Sequence, residues 1–297
     1  MTQGGSQLAE VGIVGGSGLY ALDLLDTPRR IAVPTPFGEP SDDIVVGTLG
    51  GRQVAFLPRH GAGHRLSPSE IPVRANMYAL RGLGVRHVIG VSAVGSLSAK
   101  YAPGDLVVPD QTVDRTKGLR PASFFGSGLV AHVPMADPFC PRLRGQVVSA
   151  ARSVEAVVHD GGTYCCIEGP QFSTRAESEL YRSWGMDVIG MTAVPEVGLA
   201  REAELCYVGL ALVTDYDCWF DSQETVSASL VAETMSRNVE LAGRLLAQLM
   251  TALDPVADCA CQHALDSAAL TAPHAVSPDT RERVRLLLGD RLAAPSR

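Results

Sequence analysis

Short apolar, β-branched runs bounded by turn residues recur along the chain, at Val11 to Val14, Ile44 to Val46, Val54 to Leu57, Val88 to Val91, Leu106 to Val108, Val188 to Met191 and Tyr207 to Val213. Their length and flanking glycines predict strands buried on both faces. Between them lie amphipathic stretches of helical length, Ile71 to Leu83, Arg142 to Val158, Thr174 to Trp184, Val194 to Leu205 and Ser227 to Leu253. Such alternation predicts an α/β fold with a mixed, mostly parallel central sheet covered by helices on both faces. In sheets of this kind ligands sit at the carboxyl ends of strands. The unusual residues of this sequence fall there.

The pattern weakens after residue 253. Residues 254–297 turn to Ala, Pro and Asp, with a helix predicted from Asp279 to Leu288 that Gly289 would end. We expect one domain over 1–253 and a tail over 254–297 packing on it. A chain of 297 residues buries about three quarters of its unfolded surface, so its core needs neither disulfides nor metal. With 25 basic against 32 acidic residues, a net charge of -7, it has no global field for a polyanion, and a nucleic-acid partner is not expected. No uncharged apolar run is long enough to span a bilayer, and the amino terminus has no secretory pattern, so a cytoplasmic location is expected, with no membrane partner. The seven cysteines form no paired CxxC spacing and read as reduced, mostly buried thiols.

Candidate chemistry begins at Val11-Gly-Ile-Val-Gly-Gly-Ser-Gly18, a strand running into glycines whose N–H groups can approach an anion, with the Ser17 hydroxyl beside them. The run Gly16, Gly18, Ala21 also satisfies a dinucleotide pattern. However, Asp26 to Gly38 breaks the following helix early, and the acids Asp42 and Asp43 precede the next strand instead of following it. An anion-binding turn, a dinucleotide turn and a purely structural turn stay open here.

The second strand ends in Arg59-His60, and from there to residue 87 the chain carries five arginines and three histidines against one acid, Glu70. A solvated helix face accounts for Arg81 and Arg86. Burying Arg59 without an anion would cost several kcal/mol, so Arg59 and His60 point to an oxyanion such as phosphate. Gly61 and Gly63 between His60 and His64 argue against a zinc-binding helix. A third strand ends in Ser92-Ala93, adding a hydroxyl and backbone amides.

Asp215 and Asp217 stand two apart at the end of a buried strand, on one face of an extended chain. Two close carboxylates resist joint ionisation, so one keeps a proton. The pair suits an aminopurine: one member accepts from the exocyclic amine and the other donates to N7. Turn or capping aspartates are the plain alternative. A metal is not expected in this site, since no further carboxylates complete one. Phe172, between a strand and a helix, is placed to stack on a planar base; Ser173 or Thr174 can cap the helix, with Thr174 the better cap. Met191 and Thr192 add an apolar surface and a hydroxyl.

Gly15-Gly-Ser-Gly-Leu19, Pro58-Arg-His-Gly61, Ser92-Ala-Val-Gly-Ser96, His132-Val-Pro-Met-Ala-Asp-Pro-Phe-Cys140, Ile167-Glu-Gly-Pro-Gln-Phe-Ser173, Met191-Thr-Ala-Val-Pro-Glu196 and Thr214-Asp-Tyr-Asp-Cys-Trp219, in this order, resemble the 5'-methylthioadenosine phosphorylases of the trimeric purine nucleoside phosphorylase family. The resemblance implies the nucleoside phosphorylase fold, with a partly barrel-like sheet, in a homotrimer. It implies phosphate bound by Ser17, Arg59, His60, Ser92, Ala93 and Thr192, and a nucleoside held by Phe172, Ser173, Met191, Asp215 and Asp217. Ala228 and Val231 would face its 5' group, and His132 would reach a neighbouring subunit's 5' pocket. Catalysis would rest on Asp217, Asp215 and His60, with inorganic phosphate as co-substrate and no cofactor. Related 6-oxopurine enzymes carry Asn at the position of Asp215 and often Glu at that of Ser173, so adenine is expected over hypoxanthine, a 6-oxopurine or broad-specificity enzyme being the alternative. Ser17 stands where the family commonly has Thr, and Ala228 where it often has Val.

Overall fold

A computed structural model of the chain describes residues 7–16, 24–220, 228–254 and 259–292, with the side chains of 228–233, 235 and 290 left undescribed. Eleven strands form one mixed sheet: β1 (Val11–Gly15), β2 (Asp26–Ile31), β3 (Ile44–Leu49), β4 (Arg52–Pro58), β5 (His87–Ser96), β6 (Leu106–Val108), β7 (Gln111–Arg115), β8 (Val158–Asp160), β9 (Thr163–Ile167), β10 (Val188–Gly190) and β11 (Cys206–Asp215). The helices are α1 (Val73–Gly82), α2 (Pro141–Ser153), α3 (Arg175–Ser183), α4 (Ala193–Glu202), α5 (Ala228–Ala252), α6 (Pro278–Arg283) and α7 (Arg285–Leu288). Every strand named from the hydrophobic pattern forms.

Alternate residues of the central strands enter two different cores. Val14 of β1 and Ile44 and Val46 of β3 pack with Met77 of α1, Leu199 of α4 and Leu287 of α7. Val11, Ile13 and Val45 point to the other face, against Leu143 and Val147 of α2 and Leu245 and Leu249 of α5. This two-residue alternation makes the runs apolar throughout, because both faces are covered. The segment after residue 258 joins both cores, through Cys261 on one face and Leu265, Val284 and Leu288 on the other.

The strand β5 organises the site. One of its edges pairs in parallel with β11 from His87 to Gly95. On the other edge β1 runs parallel only as far as Val91, and β10 arrives antiparallel at Gly95 and Ser96. The sheet therefore forks, and Ser92, Ala93 and Val94 stand in the opening between β1 and β10.

Three local expectations need correction. Asp26–Ile31, read as a helix-breaking stretch, is an exposed edge strand antiparallel to β3. The helix predicted to Val158 stops at Ser153, because Glu155 takes a left-handed φ of 59° and the chain re-enters as β8. The tail helix is broken at Val284 into α6 and α7, with Gly289 (φ 45°) closing the second.

Candidate active site

A cavity of about 440 Å³ opens at the fork of the sheet. At one end β1 and β4 finish side by side, and Arg59 N–H donates to the Gly15 carbonyl at 2.8 Å. Arg59 is buried, its side chain 2% exposed. Its Nε and Nη2 donate to the two Glu196 oxygens at 2.8 and 2.9 Å, Nη2 also reaches the Val14 carbonyl, and Nη1 donates to the Val91 carbonyl at 2.7 Å. The anion that sequence reasoning demanded for Arg59 is thus Glu196, whose carboxylate takes the guanidinium fork. Burial works against the charge on Arg59, but Glu196 outweighs it and holds the proton on. Tyr207 Oη donates to Glu196 at 2.6 Å, and its hydroxyl occupies the space a side chain on Gly90 would fill. Four of the five guanidinium protons have protein acceptors; the fifth is on Nη1, which lies 4.0 Å from where a side chain on Gly16 would begin.

His60 follows in a tight turn. Its Nδ1 lies 2.9 Å from the Leu66 carbonyl, and its ring stacks on His64 with centroids 4.2 Å apart. Burial, with Arg59 and His64 adding to it, lowers its pKa to about 4 despite the Leu66 carbonyl. The ring is therefore neutral near pH 7. A carbonyl only accepts, so Nδ1 carries the proton and Nε2 is an acceptor.

The other end of the cavity is built by β11 and the short helical turn after it. Asp215 Oδ2 lies 2.8 Å from the Thr214 hydroxyl, and Asp215 Oδ1 accepts from Asp217 N–H at 2.9 Å. Asp217 takes a left-handed φ of 41°, which turns it back beside Asp215. Burial raises both carboxyl pKa values, and the Asp215 charge adds to the rise at Asp217. Asp217 Oδ2 and Ser173 Oγ are buried with no hydrogen-bond partner among the described residues. Such atoms cost stability unless a ligand or water completes them.

A buried ion pair supports the wall between the two ends. Arg120 Nε donates to Glu168 at 2.8 Å, while its Nη1 holds the Met191 carbonyl at 2.7 Å. Burial would raise the Glu168 pKa, but hydrogen bonds from Ser69, the Lys117 N–H and Arg120 hold it at about 2. Gly169 (φ 68°) lies against Met191 Sδ, where any side chain would collide.

Of the residues singled out from sequence, Arg59, His60, Ser92, Ala93 and Thr192 line this cavity together with Phe172, Ser173, Met191, Asp215 and Asp217. Phe172 is half exposed at its rim. His132 does not line it: its N–H bonds to the Ala268 carbonyl, beside the bridge that joins Ala131 to Ala269. Ser17 and the side chains of Ala228 and Val231 lie outside the described residues. Thr174 caps α3, accepting from Glu177 N–H, which leaves its neighbour Ser173 to the cavity. Sequence reasoning assigned no role to Glu196, Tyr207 or Tyr164, whose hydroxyl is buried without a partner among the described residues. The one visible signal is an acid, Glu196, within the otherwise apolar first two turns of α4, Ala193 to Ala200.

A forked α/β sheet with a donor-rich pocket facing two buried carboxylates defines a class, and the comparisons place the chain within it. Residues 10–251 match the phosphorylase superfamily, and the chain belongs to it. It is 49% identical over 279 residues to the S-methyl-5'-thioadenosine phosphorylase of Geobacter sulfurreducens, covering 94% of this chain and 98% of the relative. A methylthioadenosine phosphorylase from an antarctic soil metagenomic library superposes with a TM-score of 0.90 at 48% identity, over 95% of this chain and 99% of that one. The Schistosoma mansoni methylthioadenosine phosphorylase in complex with adenine gives 0.79 at 40% identity, over 83% and 93%.

Proposed function

We propose that this chain catalyses phosphorolysis of S-methyl-5'-thioadenosine to adenine and 5-methylthioribose 1-phosphate. The observation that carries the reading is the two-ended cavity: carboxyl and hydroxyl oxygens at Asp217 and Ser173 that have no hydrogen-bond partner among the described residues, opposite the donors of the sheet fork. Relatives named for this activity, one of them solved with adenine, support it.

In this reading phosphate sits at the fork, held by Nη1 of Arg59, Ser92, Ala93, Thr192 and the hydroxyl of Ser17. Because Glu196 neutralises Arg59, phosphate is held by directed donors more than by net charge. His60 Nε2 accepts from a protonated phosphate oxygen. Phe172 stacks on the purine, Met191 packs on the ribose, and Ser173 completes a hydrogen bond to the base. A phosphate oxygen forms a bond to the anomeric carbon as the bond from that carbon to the purine nitrogen breaks, through an oxocarbenium-like state. The electron pair leaves with the purine. One member of the Asp215–Asp217 pair gives its proton to N7, and the other, ionised, accepts from the 6-amino group. Positioning and electrostatics suffice; phosphate is co-substrate, and no cofactor takes part.

Ala228 and Val231 would border the 5' group. His132, away from its own cavity, would complete a neighbour's in a cytoplasmic homotrimer. The exposed apolar side chains of Val130 and Met135 beside it support burial against another subunit. Among the described residues no helix is long and apolar enough to cross a membrane.

The test is adenine release from methylthioadenosine with and without phosphate. Phosphate-dependent release, with one sugar phosphate per adenine, is expected. Equal release without phosphate means a hydrolase, faster cleavage of inosine a 6-oxopurine enzyme, and binding without turnover a sensor. Sedimentation of the protein then reports the trimer.

A further inference from the structure

Four cysteines from three separate segments of the chain converge away from the cavity. The sulfurs of Cys140, Cys206, Cys259 and Cys261 all lie within 4.8 Å of one another, and Cys140 Sγ and Cys259 Sγ are 3.6 Å apart. None of the four lines the cavity. Cys140 is the residue preceding α2, where its sulfur faces the Leu143 N–H. Cys206 opens β11, and Cys259 and Cys261 flank the start of a short 3-10 turn at Ala260–His263.

We propose that these four thiolates bind a structural zinc ion. Zinc coordinated by four sulfurs at about 2.3 Å places neighbouring sulfurs about 3.8 Å apart, against about 2.05 Å in a disulfide. The one pair at 3.6 Å matches that spacing, and the remaining sulfurs, none more than 4.8 Å from another, need close by no more than about 1 Å to complete the tetrahedron. Four ligands from the protein leave no open position, which suits a structural role, and an all-sulfur tetrahedral set favours zinc among common divalent ions.

The surroundings suit the charge. Zinc with four thiolates carries a net charge of two minus, and burying it requires positive partners. Arg201, 7% exposed, directs Nη1 to Cys261 Sγ at 3.4 Å while its Nη2 bonds the Asp137 and Pro138 carbonyls. The N–H groups at the start of α2 add a favourable dipole at Cys140. An Arg here would otherwise spend a buried donor on a neutral thiol. The ion would join the start of α2, the start of β11 and the segment entering 259–292, whose apolar residues complete both faces of the sheet.

The experiment is metal analysis of the full chain, expressed with zinc in the medium and desalted without chelator. About one zinc per chain is expected, released by a mercurial reagent as four thiols react. Cys259→Ser and Cys206→Ser should each lose the zinc while phosphate-dependent adenine release falls less than about threefold. Growth with cobalt should give a thiolate-to-cobalt charge-transfer band and intense tetrahedral visible bands. Removing the metal should speed hydrogen exchange in 259–292 and leave the residues of the cavity unchanged. Four free thiols without stoichiometric metal, a disulfide among the four in the non-reduced chain, or iron in place of zinc would overturn the assignment.

Discussion

The two ends of the cavity are built on opposite principles. At the sheet fork the buried charge of Arg59 is met inside the protein by Glu196, two carbonyls and, through Glu196, Tyr207. At the far end Asp217 Oδ2 and Ser173 Oγ have no hydrogen-bond partner among the described residues, and burial pushes both carboxyl pKa values up. The first end is thus part of the fold's own stability, and the second is held in a costly state that a bound ligand relieves. Substitutions should separate accordingly: those at the fork damage both folding and turnover, those at the far end turnover alone.

The largest effect on stability is expected at Glu196. Glu196→Ala leaves the Arg59 guanidinium buried without its counter-charge and should cost about 3–5 kcal/mol in chemical denaturation. Arg59→Met combined with Glu196→Leu should recover most of that loss, yet leave phosphorolysis abolished. Recovery of activity in the double variant would show that the fork does not hold phosphate.

At the far end, Asp217→Asn and Asp215→Asn should each lower kcat/KM for methylthioadenosine by about 100-fold or more while stability changes by less than about 1 kcal/mol. A raised carboxyl pKa keeps the shared proton to higher pH than a free Asp would. Turnover should therefore fall as pH rises through that value, and Asp217→Asn should flatten this limb of the profile. Asp215→Asn, whose amide can donate to a 6-oxygen, should raise the ratio of inosine to methylthioadenosine cleavage. An unchanged ratio would remove Asp215 from base selection.

Acid stability sharpens the comparison within the fork and its wall. His60, with a folded pKa of about 4, resists protonation that the unfolded chain accepts below about 6.5, so stability should fall as pH drops between these values. The loss should reach about 2 kcal/mol in urea melts and shrink in His60→Gln. Glu168, held at about 2, contributes stability above its unfolded pKa of 4.5 and loses it as pH falls from there toward 2. Two windows that overlap only between about pH 4 and 4.5 should appear, the higher one removed by His60→Gln and the lower one by Glu168→Gln.

What the sequence shows and hides follows the same division. Buried strands were legible because two covered faces make an apolar run, and Asp215 and Asp217 because acids at the end of such a run are conspicuous. The edge strand Asp26–Ile31 has five exposed residues and no apolar run to reveal it. The three-residue β8 is too short for any period and follows a helix that only the left-handed Glu155 ends. Arg59 was recognised as needing an anion, but its partner stands 137 residues away on α4, and no local spacing connects them. The cysteine cluster escaped for the same reason: spacing along the chain cannot report a contact among three segments.

Two adjacent hydroxyls give the smallest and sharpest contrast. Thr174 Oγ1 accepts from Glu177 N–H and completes a capping box on α3, with the Glu177 carboxylate returning to the Thr174 N–H at 2.8 Å. Ser173 Oγ, one residue earlier, is turned to the cavity and satisfied by no protein group among the described residues. Thr174→Ala should therefore cost about 1 kcal/mol of stability with KM for methylthioadenosine almost unchanged, since only helix donors lose an acceptor. Ser173→Ala should leave the denaturation midpoint where it is, or raise it slightly, and increase KM severalfold. If instead both substitutions lower stability and neither moves KM, the far end of the cavity is as internally satisfied as the fork, and the contrast between the two ends fails at its finest point.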